Sequence, residues 1–334
     1  MFNALGSIIN PMSWFSGAAQ PEPSTPSETE AGPDPEAMGS DPYEPTIHDV
    51  LIVKAMLIKA MRLPPEIIDQ VVEKAEYWPH TTVQLSYGSA LTVAGHSLHT
   101  QNAPEDVLLI RTPPLGFPRF PSDSDGADIS QAQVLPKPPG DPFPPTAFQP
   151  LIGSKDPLLA HPCRKIVFTI VSRDQGWGGA GEDHLTYRGS WTWFEAGLER
   201  WCQQQQPPSD LNLNLDINNI CTVYPEVVSN NDDVHDFVFP LAPVETLKIQ
   251  CNQTASMHTK EHRVEWRYTD GVDGVEDTEG AEALAAQGRG TGTGDGKFVR
   301  EMRVGDVVTV WAKARFPGWT NHVESVRVDV YWAL

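Results

Sequence analysis

Residues 323–334, VESVRVDVYWAL, put Val326, Val328, Val330 and Trp332 on one side of an extended chain and Arg327, Asp329 and Tyr331 on the other. A period of two marks a strand with one buried face. Working backwards, the pattern recurs. HRVEWRYT (262–269) and TLKIQC (246–251) read as strands, LNLNLDI (211–217) sets its leucines on one face, and KIVFTIVS (165–172) is a buried strand. Residues 297–316 suggest a hairpin turning at Gly305–Asp306. Eight or more short strands with long, uneven connections suit a mainly β fold, an antiparallel β-sandwich of jelly-roll type. No helix-sized segments alternate with them, which argues against a parallel α/β sheet.

The first β segment, 80–112, belongs to the same sandwich: Val83, Leu85 and Tyr87 alternate, Leu91 and Val93 continue, and DVLLIRT (106–112) follows. Before it, residues 46–79 read as a short helical pair broken at Pro64 and Pro65. Thr46 and Asp49 have the spacing of a capping box, and Pro65 suits the first turn of the second helix. Ile67, Ile68, Val71, Val72 and Ala75 make one apolar stripe. Residues 1–45 read as a disordered acidic tail, rich in Pro, Ser, Glu and Ala. Within it, Phe2, Leu5, Ile8, Ile9, Met12 and Phe15 fall at helical spacing. Residues 113–162 are a proline-rich excursion or linker. The main sandwich spans 163–334, and a low-complexity stretch at 270–296 reads as a disordered insertion.

The net charge of −20 and the eight acids without a Lys or Arg in the first fifty residues argue against nucleic acid as a partner. No stretch approaches the ~20 apolar residues of a membrane span, and the N-terminus lacks a cationic leader. Cys163, Cys202, Cys221 and Cys251 are too far apart for zinc-finger spacing and read as buried thiols of a cytoplasmic or nuclear protein.

Chemistry is sparse. No nucleophile elbow, P-loop or dinucleotide fingerprint is present, and no catalytic residue, metal or cofactor is expected. NNDDVHDF (230–237) clusters carboxylates without EF-hand spacing. Glu182, Asp183 and Glu195 are the obvious carboxylates for a glycosidase pair, and none stands out. The best candidate binding residues lie in two loops. In SRDQGWGG (172–179), Arg173, Asp174, Gln175 and Trp177 combine a stacking ring with polar groups that suit hydroxyls. ARFPGWTNHVE (314–324) repeats this with Trp319, Asn321 and His322. If the loops share one end of the sandwich, with Trp191 or Trp193 buried beneath, they form one aromatic, polar rim.

LPPEIIDQVVEKAEYW (63–78) resembles the opening of an F-box, a module that binds a ubiquitin-ligase adaptor, over sixteen residues. A third helix is missing, so the segment alone is expected not to bind that adaptor. LPPEIIDQVVEKAEYWPHTTV, SRDQGWGG, SWTWFEAGLER, HRVEWRYTD and ARFPGWTNHVESVRVDVYW together resemble an uncharacterised fungal protein family, which implies a fungal source and no activity. Helices before a β-sandwich are also similar to sugar-binding F-box proteins. The expectation is therefore a non-enzymatic interaction protein with a protein partner. A carbohydrate-binding or carbohydrate-active jelly roll, with a glycan ligand, and an F-box-like substrate adaptor are the alternatives.

Overall fold

In the computed structural model, the described residues are 43–95, 105–120, 129–152, 159–202, 217–229, 237–238, 245–275 and 278–334. Most of the N-terminal tail, the strand expected at 211–217 apart from Ile217, and NNDDVHDF apart from Phe237 lie outside them.

The first sheet sets β1 (His80–Ala94), β11 (Thr320–Trp332), β3 (Cys163–Arg173) and β9 (Lys260–Arg267) side by side. The second sets β2 (Asp106–Arg111), β10 (Val307–Ala314), β4 (Thr192–Trp201) and β5 (Ile220–Tyr224), with β8 (Lys248–Cys251) on the same edge of β4 as β5. Every pairing in both sheets is antiparallel. A separate ribbon pairs β6 (Val228–Ser229) with β7 (Phe237–Val238). From β1 to β4 the chain changes sheet at each strand, and it does so again from β9 to β11. That is the interleaving of a jelly roll.

The core follows the period of two. Ile166, Phe168 and Ile170 of β3 and Val326, Val328 and Val330 of β11 face Phe194, Ala196 and Leu198 of β4 and Val308, Val310 and Ala312 of β10. The opposite face of β4 carries Trp193, Glu195 and Glu199, and these are buried too. A strap from the proline-rich segment covers part of that face. Phe117 and Phe148, the latter on α3 (Pro145–Ile152), pack on Trp201, Ile220 and Val307. Beneath the strap, Arg111 donates from Nε and Nη2 to the Glu199 carboxylate at 2.5 and 3.0 Å. Its Nη1 donates to the carbonyls of Ile129 and Ala132 at 3.1 and 2.9 Å.

The helical pair forms as its caps dictate. The Thr46 hydroxyl accepts from the Asp49 amide at 3.3 Å and the Asp49 carboxylate accepts from the Thr46 amide at 3.0 Å, which starts α1 (Ile47–Met56). A π-helical turn, Leu57–Met61, and Arg62 at φ 55° end it, and Pro65 opens α2 (Pro65–Lys74). Val50, Ile68, Val72 and Trp78 seat the pair against Tyr268, Tyr331 and Leu334. The expected stripe is divided: Ile68 and Val72 are buried, whereas Ile67 and Val71 are exposed.

Two expectations are corrected. Residues 270–296, read as a disordered insertion, are folded where they are described, with Ala281, Leu284, Thr293 and Gly294 buried and Val272 and Val275 exposed. Thr278 caps α4 (Glu279–Ala286), whose Ala281 and Leu284 are buried. The low bulk of this stretch is what lets it pack: a Cβ on Gly274 would stand 1.8 Å from the Thr291 carbonyl oxygen. The hairpin turning at Gly305–Asp306 does not form either. Lys297–Glu301 is helix α5, whose Val299 and the following Met302 are buried at a spacing of three, and β10 pairs with β2 and β4. Asp306 is held by a two-point contact from Arg200 at 2.6 and 2.7 Å, which fixes the turn as the entry to β10.

All four cysteines are free thiols, with Cys221 half-buried and the others buried. Among the described residues, no helix is long and apolar enough to cross a membrane.

Candidate functional site

Strand register brings the two candidate loops together. Arg173 pairs with His322 and Ser172 with Lys260, while Ala94 pairs with Thr320. The β3–β4, β8–β9 and β10–β11 connections therefore meet at one end of the sandwich. Trp193 is buried beneath them, on the face of β4 turned away from the core. Its ring lies between Lys248, 5.7 Å away, and Arg315, 5.4 Å away.

Three of the candidate residues are tied into the scaffold. Asp174 is fully buried and accepts from the amides of Gly176 and Ala255 at 2.8 and 2.7 Å. Burial, opposed by these amides, raises its carboxyl above the usual range. Gln175 accepts from the Thr320 amide through Oε1 at 3.0 Å and donates through Nε2 to the Trp177 carbonyl at 2.6 Å, clasping one loop to the other. Asn321, also buried, donates to the carbonyls of Trp193 and Lys313 at 3.2 and 3.3 Å and accepts from Asn252 at 2.9 Å. Asn252 donates in turn to the Thr192 hydroxyl at 3.0 Å and accepts from Ser172 at 2.7 Å. A closed set of buried polar contacts of this kind fixes loop geometry.

The remaining four lie nearer solvent. Trp177 is 62% exposed, Trp319 and Arg173 are half-buried, and half-buried His322 contacts the Thr92 hydroxyl at 3.3 Å. Burial and the Arg173 charge lower the His322 pKa. A Cβ on Gly318, at φ 95°, would come within 3.0 Å of the Trp177 ring, so glycine lets that ring approach the loop closely. Phe316, Met257 and Leu185 are exposed in the three connections at this end, and Phe316 meets half-buried Trp191 edge to face at 4.5 Å. These three were not singled out from sequence, because an apolar residue in a loop carries no pattern.

A second apolar surface lies on the helical pair. Leu51, Ile52, Met56, Ile58, Met61, Ile67 and Val71 each keep 41–62% of their surface open. Among the described residues no three His, Cys, Asp or Glu side chains converge as a metal site would require. Glu195, the one carboxylate of the glycosidase candidates that is buried, bonds Lys313 at 3.2 Å. Burial raises its pKa, with Lys313 opposing.

Fold and surface together define a jelly-roll sandwich with an aromatic end and a helical pair exposing apolar side chains. No family model, curated protein or solved structure matches the chain.

Beside the aromatic end, His262 is buried against Tyr187, and burial, followed by the charge of Lys260, pushes its pKa down to about 4. The unfolded chain takes up that proton near 6.5. The contribution of neutral His262 is therefore complete above pH 6.5 and is lost progressively as pH falls to about 4. We expect a loss of ~3 kcal/mol over that window. Urea midpoints of the wild type and His262→Gln between pH 7.5 and 4.5 test this, the variant giving the flatter profile.

Proposed function

We propose that the protein is a non-enzymatic binding protein that docks a protein partner on its helical pair. One observation carries the reading: seven large apolar side chains between Leu51 and Val71 stay exposed while four others anchor the pair to the sandwich. Single exposed apolar residues are ordinary, but such a concentration on two short helices is what a partner-binding face presents. The F-box-like reading is one form of this function, with a ubiquitin-ligase adaptor as the partner.

The test uses the full chain, because isolated helices would lose their seat on Tyr268, Tyr331 and Leu334. Ile52→Glu combined with Met56→Glu, and separately Val71→Glu, should leave the melting temperature nearly unchanged, since these side chains face outward. Both should lose the partners recovered by the wild type. For an identified partner, hot-spot truncation costs about 2 kcal/mol or more, roughly a thirtyfold fall in affinity. Unchanged recovery by both variants would refute the proposal.

A second reading, glycan binding at the aromatic end, is favoured by exposed Trp177, with half-buried Trp319, Arg173 and His322 at the same end of the sandwich. A glycan array probed with the wild type, Trp177→Ala and Trp319→Ala separates it from the first. Binding lost in the aromatic variants and retained in the helical ones supports the glycan reading, and hydrolysis of a bound glycan would replace it with an enzyme.

A further inference from the structure

A cleft of about 660 Å³ opens beside β8. Residues 288–290 form its floor together with that strand. The Gly290 amide donates to the Lys248 carbonyl at 2.8 Å, and the Cys251 amide donates to the Gly288 carbonyl at 2.8 Å. The last turn of α4 makes one wall through Ala285 and Ala286, whose small side chains leave the space open. Tyr187 and Trp191 make the other. Both rings have fixed partners: Lys260 donates to the Tyr187 hydroxyl at 2.9 Å, and Phe316 packs edge to face on Trp191. The volume falls within the range of small-molecule sites.

The charge of this cleft is inverted relative to the chain. Against a net charge of −20, it gathers Arg188, Lys248 and Arg289 with Glu282 as its one carboxylate. Lys248 is buried, its ammonium 5.7 Å from the Trp193 ring. Arg289 is half-buried, and its Nε and Nη2 donate to the hydroxyl and carbonyl of Thr293 at 3.2 and 2.6 Å. Among the described residues no carboxylate forms an ion pair with it. Burial lowers its pKa, and Asp270 opposes this only through space. A guanidinium fixed by neutral groups, with Nη1 unpartnered among the described residues, is prepared for an oxyanion.

We propose that this cleft binds a small organic anion carrying a ring, its carboxylate or phosphate held by Arg289 in the field of Lys248 and Arg188 and its ring lying along Trp191 and Tyr187. The site stands apart from the helical face and does not depend on it.

The full-length protein is titrated with phenyl phosphate, benzoate and inorganic phosphate, following the Trp191 indole and Arg289 Nε signals by nuclear magnetic resonance. Saturable shifts with phenyl phosphate or benzoate are expected, with inorganic phosphate binding at least tenfold more weakly because it lacks the ring. The stronger of the two ring ligands tells which oxyanion is preferred. Arg289→Met should weaken binding roughly tenfold or more by removing a charge-assisted contact. Ala286→Phe, at an exposed position, fills the cleft without touching a cation and should abolish binding; melting curves verify that each variant is folded. The proposal is overturned by the absence of saturable shifts up to ~10 mM. It is equally overturned by inorganic phosphate matching phenyl phosphate, or by unchanged affinity in Ala286→Phe.

Discussion

Glu199→Ala should destabilise the protein by about 3–5 kcal/mol, because it leaves the Arg111 guanidinium buried without its counter-charge. Arg111 is 1% exposed, and its remaining contacts are the carbonyls of Ile129 and Ala132, which cannot neutralise it. The strap should loosen with it, since those carbonyls belong to the strap. Urea unfolding of the wild type and the variant measures the cost. Replacing both partners with apolar residues, Arg111→Met with Glu199→Leu, should recover most of the loss, because the uncompensated charge is then gone. A Glu199→Ala variant as stable as the wild type would mean that water reaches Arg111.

Trp193→Ala should be comparably damaging, at about 3–5 kcal/mol, and for a different reason. The ring is the largest side chain beneath the aromatic end and fills the space between Lys248 and Arg315. Its loss opens a cavity and brings two cations next to a void. Asn321 still bonds the backbone carbonyl of residue 193, so the loop clasp should persist while the layer below it softens. Melting should fall by about 10 °C, and Trp193→Phe, which keeps an aromatic ring in place, should fall much less. Equal losses in the two variants would indicate that the indole Nε1, 3.4 Å from Glu195, matters more than the volume.

Strands were readable in the sequence where alternation runs long, whereas the short β5, Ile220–Tyr224, was not singled out. Val326, Val328 and Val330 announce β11 because alternation leaves their side chains on one side, and that side met the core. Reading failed where the period changed without punctuation. In residues 297–304, Val299 and Met302 are spaced for a helix, but Met302 and Val304 alternate with Glu301 and Arg303 and imitate the start of a strand. At 270–296, composition spoke for disorder, whereas packing depends on the absence of side chains at Gly274 and on a single cap at Thr278. At the aromatic end, the two loops could be named from their residues. The division of labour within them could not, because asparagine, glutamine and aspartate serve ligands and loop anchors equally well. Only distant partners, Asn252 for Asn321 and Thr320 for Gln175, distinguish the two roles. The helical stripe failed on the same ground: a face of apolar residues does not say how much of it the rest of the chain will cover.

The interleaving of the strands also governs the order in which the molecule can be completed. Both β1 and β3 find their shared neighbour in β11, so each carries a bare hydrogen-bonding edge during synthesis until Thr320–Trp332 has emerged. Such edges recruit other strands, including those of nascent copies nearby. Closure must also bring together residues as far apart in sequence as His80 and Tyr331, which makes folding slow for a given stability. The chain is therefore most vulnerable to aggregation after β10 has emerged and before β11 has, when nearly all of the sandwich's core residues exist but the strand that joins β1 to β3 does not.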